Sequence, residues 1–174
     1  MKESKMTKEI LAGKIFIYPT DTIYGIGCNA LDEKAVIKIK EIKGRDKGNP
    51  LSVIAPSKGW IKENCIEEAE ELIEKYLPGP YTLILKKKNP KFLSWCSETD
   101  LLGVRIPKND FTNQIQKSGV PFITTSVNTS GESPVKEISQ IKEEIIRNVD
   151  HVIDHGRLDN PPSTLIVGGK EIKR

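Results

Sequence analysis

The chain has 174 residues, 37% of them hydrophobic and 29% charged, with a net charge of +3, a make-up that fits one globular domain long enough to bury a core and excludes fibrous or low-complexity classes. No apolar run approaches the length of a membrane span, and the N-terminal Met1-Lys2-Glu3-Ser4-Lys5-Met6-Thr7-Lys8 lacks an apolar signal-peptide core, so a cytoplasmic protein without membrane contact is expected. The charge balance permits phosphate contact without requiring a nucleic acid, and the three cysteines, Cys28, Cys65 and Cys96, are odd in number and lack metal-ligand spacing, so they read as reduced thiols.

In chain order, Lys14 to Tyr18 reads as a β-branched, apolar strand. Asp32 to Ile42 carries apolar residues at Ala35, Val36, Ile39 and Ile42, the spacing of an amphipathic helix, with Asp32 as its N-cap and Gly44 as its stop. Leu51 to Ala55 is a second strand, and Ile66 to Leu77 a Glu-rich helix ended by Pro78-Gly79-Pro80. Tyr81 to Lys86 and Leu102 to Ile106 are strands, Phe111 to Gly119 a short helix, Phe122 to Thr125 a strand and Ile138 to Arg147 a helix. Short strands at His151 to Ile153, Thr164 to Val167 and Glu171 to Lys173 finish the chain, the last two joined as an antiparallel hairpin through Gly168-Gly169. Alternating strands and helices predict an α/β domain with a mixed sheet.

Polar clusters stand where apolar runs end, the place where open α/β sheets bind ligands. Pro19-Thr20-Asp21-Thr22-Ile23-Tyr24-Gly25 offers hydroxyls past a strand, although a locally capped turn accounts for it too. Lys43-Gly44-Arg45 can hold an oxyanion from two sides, or simply complement a helix C-terminus. Arg105, inside the apolar Gly103-Val104-Arg105-Ile106-Pro107, either pairs with an internal carboxylate or waits for one on a ligand. Thr124 to Gly131 is rich in Ser, Thr and Asn and could present Ser126 and Asn128 to phosphate or ribose, yet no Walker-type loop or dinucleotide fingerprint occurs. His151 and His155 lie on a strand running into a turn, which does not suit a metal site, and Lys86-Lys87-Lys88 with Lys91 reads as a solvated hairpin tip rather than an RNA contact.

Taken together, the segments YPTDTIYGIGCNA (18–30), IKGRDKGNPLSVI (42–54), LPGPYTLIL (77–85), LLGVRIP (101–107), PFITTSVNTSGESP (121–134) and PPSTLIV (161–167) resemble, in order, those of the YrdC-domain family, the threonylcarbamoyl-AMP synthases. The family's split signature, Lys-x-Arg and a later Ser-x-Asn, stands here as Lys43-Gly44-Arg45 and Ser126-Val127-Asn128. The resemblance is to the short, single-domain form, one domain over residues 1–174, and implies a twisted mixed sheet flanked by helices with a concave, positively charged groove. It implies a nucleotidyltransferase that joins L-threonine, bicarbonate and ATP into threonylcarbamoyl-adenylate and releases pyrophosphate, the product feeding a threonylcarbamoyl-transferase complex that modifies tRNA.

Position by position, the resemblance places Thr22, Arg105, Thr124 and Ser163 around threonine, with Arg105 on its carboxylate. It places Arg45, Asn49, Ser126, Asn128, Ser133 and Arg174 around ATP, and Lys43 near bicarbonate and the phosphates. Lys43 and Arg45 would neutralise charge on the triphosphate and the leaving pyrophosphate. Mg2+ is expected on the phosphate oxygens rather than in a carboxylate cage. Two departures stand out: Ile54 replaces the His that commonly lines the threonine pocket, and Asp21 replaces a more usual Glu. A non-catalytic module binding tRNA or double-stranded RNA, and a carbamoyl-transfer module, are the alternative readings.

Overall fold

A computed structural model describes residues 4–44, 48–66 and 69–174. Its elements are α1 (Lys5–Leu11), β1 (Phe16–Tyr18), β2 (Gly25–Gly27), α2 (Glu33–Ile42), β3 (Ser52–Ile54), α3 (Lys58–Asn64), α4 (Glu70–Tyr76), β4 (Tyr81–Lys86), β5 (Leu101–Arg105), α5 (Asp110–Ser118), β6 (Phe122–Ser126), α6 (Glu143–Arg147), β7 (His151–Val152), β8 (Thr164–Val167) and β9 (Lys170–Ile172). The described strands form one mixed sheet in the order β7-β1-β2-β6-β3-β5-β4-β8-β9. Pairs β1–β7, β3–β5 and β4–β8 are parallel and the rest antiparallel.

Strand β6 holds the two halves of the sheet together. Phe122 to Thr124 pair with β3, while Thr125 and Ser126 pair with β2. The backbone approach is close at Gly27, where an added Cβ would stand 1.8 Å from the Ile123 carbonyl oxygen and 2.8 Å from the Phe122 ring. Gly27→Ala is therefore expected to destabilise the fold by about 1–3 kcal/mol, as overpacking does elsewhere. A lowered urea midpoint at unchanged slope is the measurement that checks it.

Strand alternation sorts the side chains onto two faces. Ile15, Ile17, Val53, Leu83, Val104 and Ile123 face the larger core, covered by Val36 and Ile39 of α2, Ile61 of α3, Ile73 of α4 and Ile145 of α6. Phe16, Tyr18, Ile54 and Phe122 face the other way and pack with Ile10 of α1 and Phe111 and Ile115 of α5. Tyr18 stacks on Phe111 with ring centroids 4.5 Å apart. This second cover is small. Beyond its edge the same face carries Ser52, Thr82, Arg105 and Thr124, so hydroxyls and a guanidinium stand where apolar residues would otherwise need a helix over them.

Most elements lie where the sequence places them, including the Asp32 cap, which accepts from Ala35 N, the left-handed Gly44 and the antiparallel β8–β9 hairpin. The helix expected over 138–147 is instead a 3-10 turn, Ile138–Gln140, followed by α6. Gln140 turns its amide oxygen back onto the N–H groups of Lys136 and Glu137, and Ile141 becomes extended, yet Ile141 and Ile145 still reach the core. Helix α4 begins at Glu70, and residues 67 and 68 of the expected Ile66–Leu77 helix lie outside the described residues. Elements α1, β2 and α3 have no counterpart among the elements expected from the sequence. Two of them start on a serine cap, Ser4 accepting from Thr7 N and Ser57 from Trp60 N.

The lysine run is a correction. Lys86 is exposed, but Lys87 is 2% exposed and donates to the carbonyls of Phe92 and Ser97, so it ties down the 89–98 loop instead of sitting in a solvated tip. His151 stacks on Phe16 and meets Glu9 at 3.2 Å. All three cysteines are free and buried. Among the described residues no helix is long and apolar enough to cross a membrane.

Candidate active site

The uncovered part of the sheet face is the floor of a cavity of about 360 Å³. Its walls come from the Thr20–Gly25 turn, the Thr124–Asn128 corner, Glu132 and Pro134, and the Pro162–Ser163 segment with Arg174. Small residues let the floor close. A Cβ on Gly103 would stand 2.3 Å from Ser52 Oγ, so glycine on β5 makes room for the serine on β3.

Arg105 ends β5 and is 5% exposed. One terminal nitrogen meets Asp21 Oδ1 at 2.6 Å, and both terminal nitrogens lie 3.4–3.5 Å from Thr22 Oγ1. Its Nε is buried without a hydrogen-bond partner among the described residues. Burial pushes the Arg105 pKa down, Asp21 draws it back up, and the positive charge of Arg174 adds to the downward push. Asp21 is itself held, since its Oδ2 accepts from Lys108 N at 3.0 Å and its carbonyl from Asn160. The structure shows the internal pairing of Arg105: Asp21 takes one side, and a donor without a partner among the described residues remains in a residue that lines the cavity.

On the opposite wall, Arg174 donates to Ser163 Oγ at 2.6 Å and to the Ser163 carbonyl at 3.1 Å. Ser163 Oγ also pairs with Thr82 Oγ1 at 2.7 Å. The Ser126–Asn128 corner is closed by Ser126 Oγ donating to Asn128 Oδ1 at 2.5 Å and by Asn128 Nδ2 donating to the Glu132 carbonyl. Beneath it Lys43, 2% exposed, donates to the carbonyls of Ser126 and Asn128 and to Asn128 Oδ1.

Arg105, Thr124, Ser126, Asn128, Ser163 and Arg174 therefore line one hollow. Thr22 stands behind Arg105 and does not line it, while Lys43 lies under the corner as its internal tie. Asn49 and Ser133 are exposed beside the lining residues Pro50 and Pro134. Arg45 lies outside the described residues. Position 54, expected to face the amino acid, is apolar core: Ile54 is fully buried in the cluster of Phe16, Tyr18, Phe111 and Phe122 and does not line the cavity. Thr20, from the hydroxyl cluster past β1, lines the cavity, and so do Ser52, Thr82 and Glu132, which the sequence does not mark as site residues. The signal for Ser52 and Thr82 is a lone hydroxyl inside an apolar run, PLSVI and YTLIL, on the face opposite the main-core residues.

Two guanidinium groups, one with a buried donor unpartnered among the described residues, stand among hydroxyls on the mixed sheet of an α/β fold, a donor set of the kind that can hold an anionic, hydroxylated ligand. Comparison with known proteins narrows that class. The Sua5/yciO/yrdC family model, described as "Telomere recombination", matches residues 8–173, and the chain belongs to that family. It is 42% identical over 166 residues to a protein named putative threonylcarbamoyl-AMP synthase from Methanocaldococcus jannaschii, covering 92% of this chain and 77% of that one. The structure of Pyrococcus abyssi Sua5 complexed with L-threonine superposes with a TM-score of 0.81 at 32% identity, over 95% of this chain and 51% of that one. Escherichia coli YciO shares the fold, with a TM-score of 0.79 at 24% identity over 97% of this chain and 88% of that one. The chain thus spans about half the length of the Pyrococcus protein.

Proposed function

We propose that the protein is an L-threonylcarbamoyladenylate synthase, a nucleotidyltransferase that makes threonylcarbamoyl-AMP and pyrophosphate from L-threonine, bicarbonate and ATP. The observation that carries this reading is Arg105, with its buried Nε unpartnered among the described residues, lining one cavity with Arg174, Ser163 and the Ser126–Asn128 corner. The names of the Methanocaldococcus protein and of the threonine-bound Pyrococcus structure support it.

In this reading Arg105 takes the threonine carboxylate through the donor that Asp21 leaves open, and the Thr124 and Ser163 hydroxyls complete the amino-acid site. Threonine's amine adds to bicarbonate-derived CO2, giving a carbamate and a proton. A carbamate oxygen then attacks the α-phosphate of ATP, and the bond to pyrophosphate breaks. Arg174, with Arg45, offsets the charge that grows on the phosphates, and Ser126 and Asn128 hydrogen-bond the nucleotide. Asn49 and Ser133 serve the nucleotide from the rim. Thr22 keeps the Arg105 guanidinium in place, and Lys43 acts through the corner it ties together. A carbamate is labile in water, so holding both reactants in one walled hollow is itself catalytic.

The donor set suits Mg2+ carried on the phosphates. Among the described residues no three carboxylate, His or Cys groups gather to hold a metal, and Glu132, in the cavity wall, is paired with Lys142 at 2.6 Å. Mg2+ when bound would neutralise phosphate charge. A cytoplasmic setting, a downstream transferase complex and tRNA as final acceptor belong to the same proposal.

The test is mass detection of threonylcarbamoyl-AMP from purified protein given ATP, bicarbonate and L-threonine, with serine as competitor. A product bearing the threonyl mass is expected. Absence of any adenylate, with no threonine-dependent pyrophosphate, would overturn the reading.

A further inference from the structure

Thr82 lies in the LPGPYTLIL segment (77–85) but outside the split signature, and no site role is assigned to it above. It sits on β4 with Leu83 and Leu85 turned into the main core, so its own side chain points to the cavity face. It is 2% exposed. Strands β4 and β5 pair Leu83 with Val104 and Ile84 with Gly103, and one further step in that register sets Thr82 directly beside Arg105. On its other side Thr82 Oγ1 meets Ser163 Oγ at 2.7 Å. The threonine hydroxyl therefore stands between the cation that faces an incoming carboxylate and the serine that Arg174 grips.

A count of donors gives the need. A carboxylate has two oxygens and about four lone-pair sites. Arg105 cannot present its full fork, because one terminal nitrogen is held by Asp21 at 2.6 Å, leaving Nε as the donor without a partner. A second donor close to Arg105 would serve the other carboxylate oxygen. The hydrogen-bond chain supplies one: Arg174 donates into Ser163 Oγ, the Ser163 O–H can donate to Thr82 Oγ1, and the Thr82 hydroxyl is then free to donate into the cavity.

We propose that Thr82 is a substrate-contacting residue whose hydroxyl donates to the carboxylate of the bound amino acid, side by side with Arg105 Nε. This rests on the amino-acid site of the proposed function. The chain Arg174–Ser163–Thr82 sets the direction of that hydroxyl, so the wall that meets phosphate also tunes the contact with the amino acid.

The experiment measures binding of L-threonine and of threoninol, which has the same side chain and amine but no carboxylate, to the unsubstituted protein, to Thr82→Val and to Thr82→Ser. Valine keeps the β-branched shape and strand preference of threonine and removes only the hydroxyl. Thr82→Val is expected to weaken threonine binding about tenfold to a hundredfold, the worth of one hydrogen bond to a charged group, with threoninol binding unchanged and Thr82→Ser close to the unsubstituted protein. Undiminished threonine binding in Thr82→Val, or equal weakening of threonine and threoninol, would overturn the proposal. Failure of the unsubstituted protein to bind threonine would overturn the proposed function with it, so the two failures are distinguishable.

Discussion

Arg105→Lys is expected to lower threonine-dependent pyrophosphate release by on the order of a hundredfold or more, while ATP binding without threonine is retained. Lysine keeps a positive charge beside Asp21 and so preserves the internal pair that now spans 2.6 Å. It has no Nε donor and no planar fork, so the substitution removes the buried N–H group that has no partner among the described residues. Alanine would be a poorer probe. It would strand the Asp21 carboxylate, and breaking a buried pair from one side costs about 3–5 kcal/mol, so a fall in activity would report damage to the fold. Steady-state kinetics with varied threonine, beside a thermal melt, separates these effects. A lysine variant with normal threonine dependence would remove Arg105 from the amino-acid site.

Lys43→Ala is expected to fail in a different way. Its ammonium group binds two carbonyls and one amide oxygen of the Ser126–Asn128 corner from beneath. Asn128 Oδ1 keeps the Ser126 hydroxyl and the Ser126 carbonyl keeps Asn128 N, so the Asn128 carbonyl is the acceptor that loses its donor, at about 1–3 kcal/mol. For a chain of this length that lowers the melting temperature by roughly 2–12 °C. The family resemblance implies that this variant stays folded and loses only turnover; the geometry revises that expectation, because the lysine ties the corner from beneath and does not line the cavity. Calorimetry decides the matter. An unchanged melting temperature with abolished turnover would return Lys43 to direct contact with the reactants.

The stability result also bears on how the site is built. The Lys-x-Arg and Ser-x-Asn segments are 83 residues apart when measured from Lys43 to Ser126. The Lys43 ammonium is the link between them, and Ser130 N also bonds the Lys43 carbonyl at 3.0 Å. One consequence is that nucleotide-facing groups on the corner inherit their positions from the end of α2.

Much of this was readable along the chain. Period-two runs marked β4 to β6, 3.6-residue spacing and an Asp cap marked α2, and the Gly-Gly turn marked the closing hairpin, because those signals are local. Order and spacing of the polar segments also carried the family, and with it Arg105, Ser126 and Ser163. Local signals were weak where an element was short. Strand β2 has only three residues, two of them glycine, and exists because β1 and β6 hydrogen-bond it on both sides.

What tertiary structure alone decided was the environment of each polar group. Lys87 reads as a solvated cation in one dimension and Lys43 as an oxyanion holder or helix-end cation, and both are buried under carbonyls brought from elsewhere in the chain. Ile54 looks like a gap in a binding pocket, and helices α1 and α5 cover it instead. Thr82 looks like one more strand residue until β5 and Ser163 come alongside. Periodicity dictates which face a side chain takes, but whether that face meets a helix, a carbonyl or an open hollow depends on segments far away in the chain, and no local pattern encodes that neighbour.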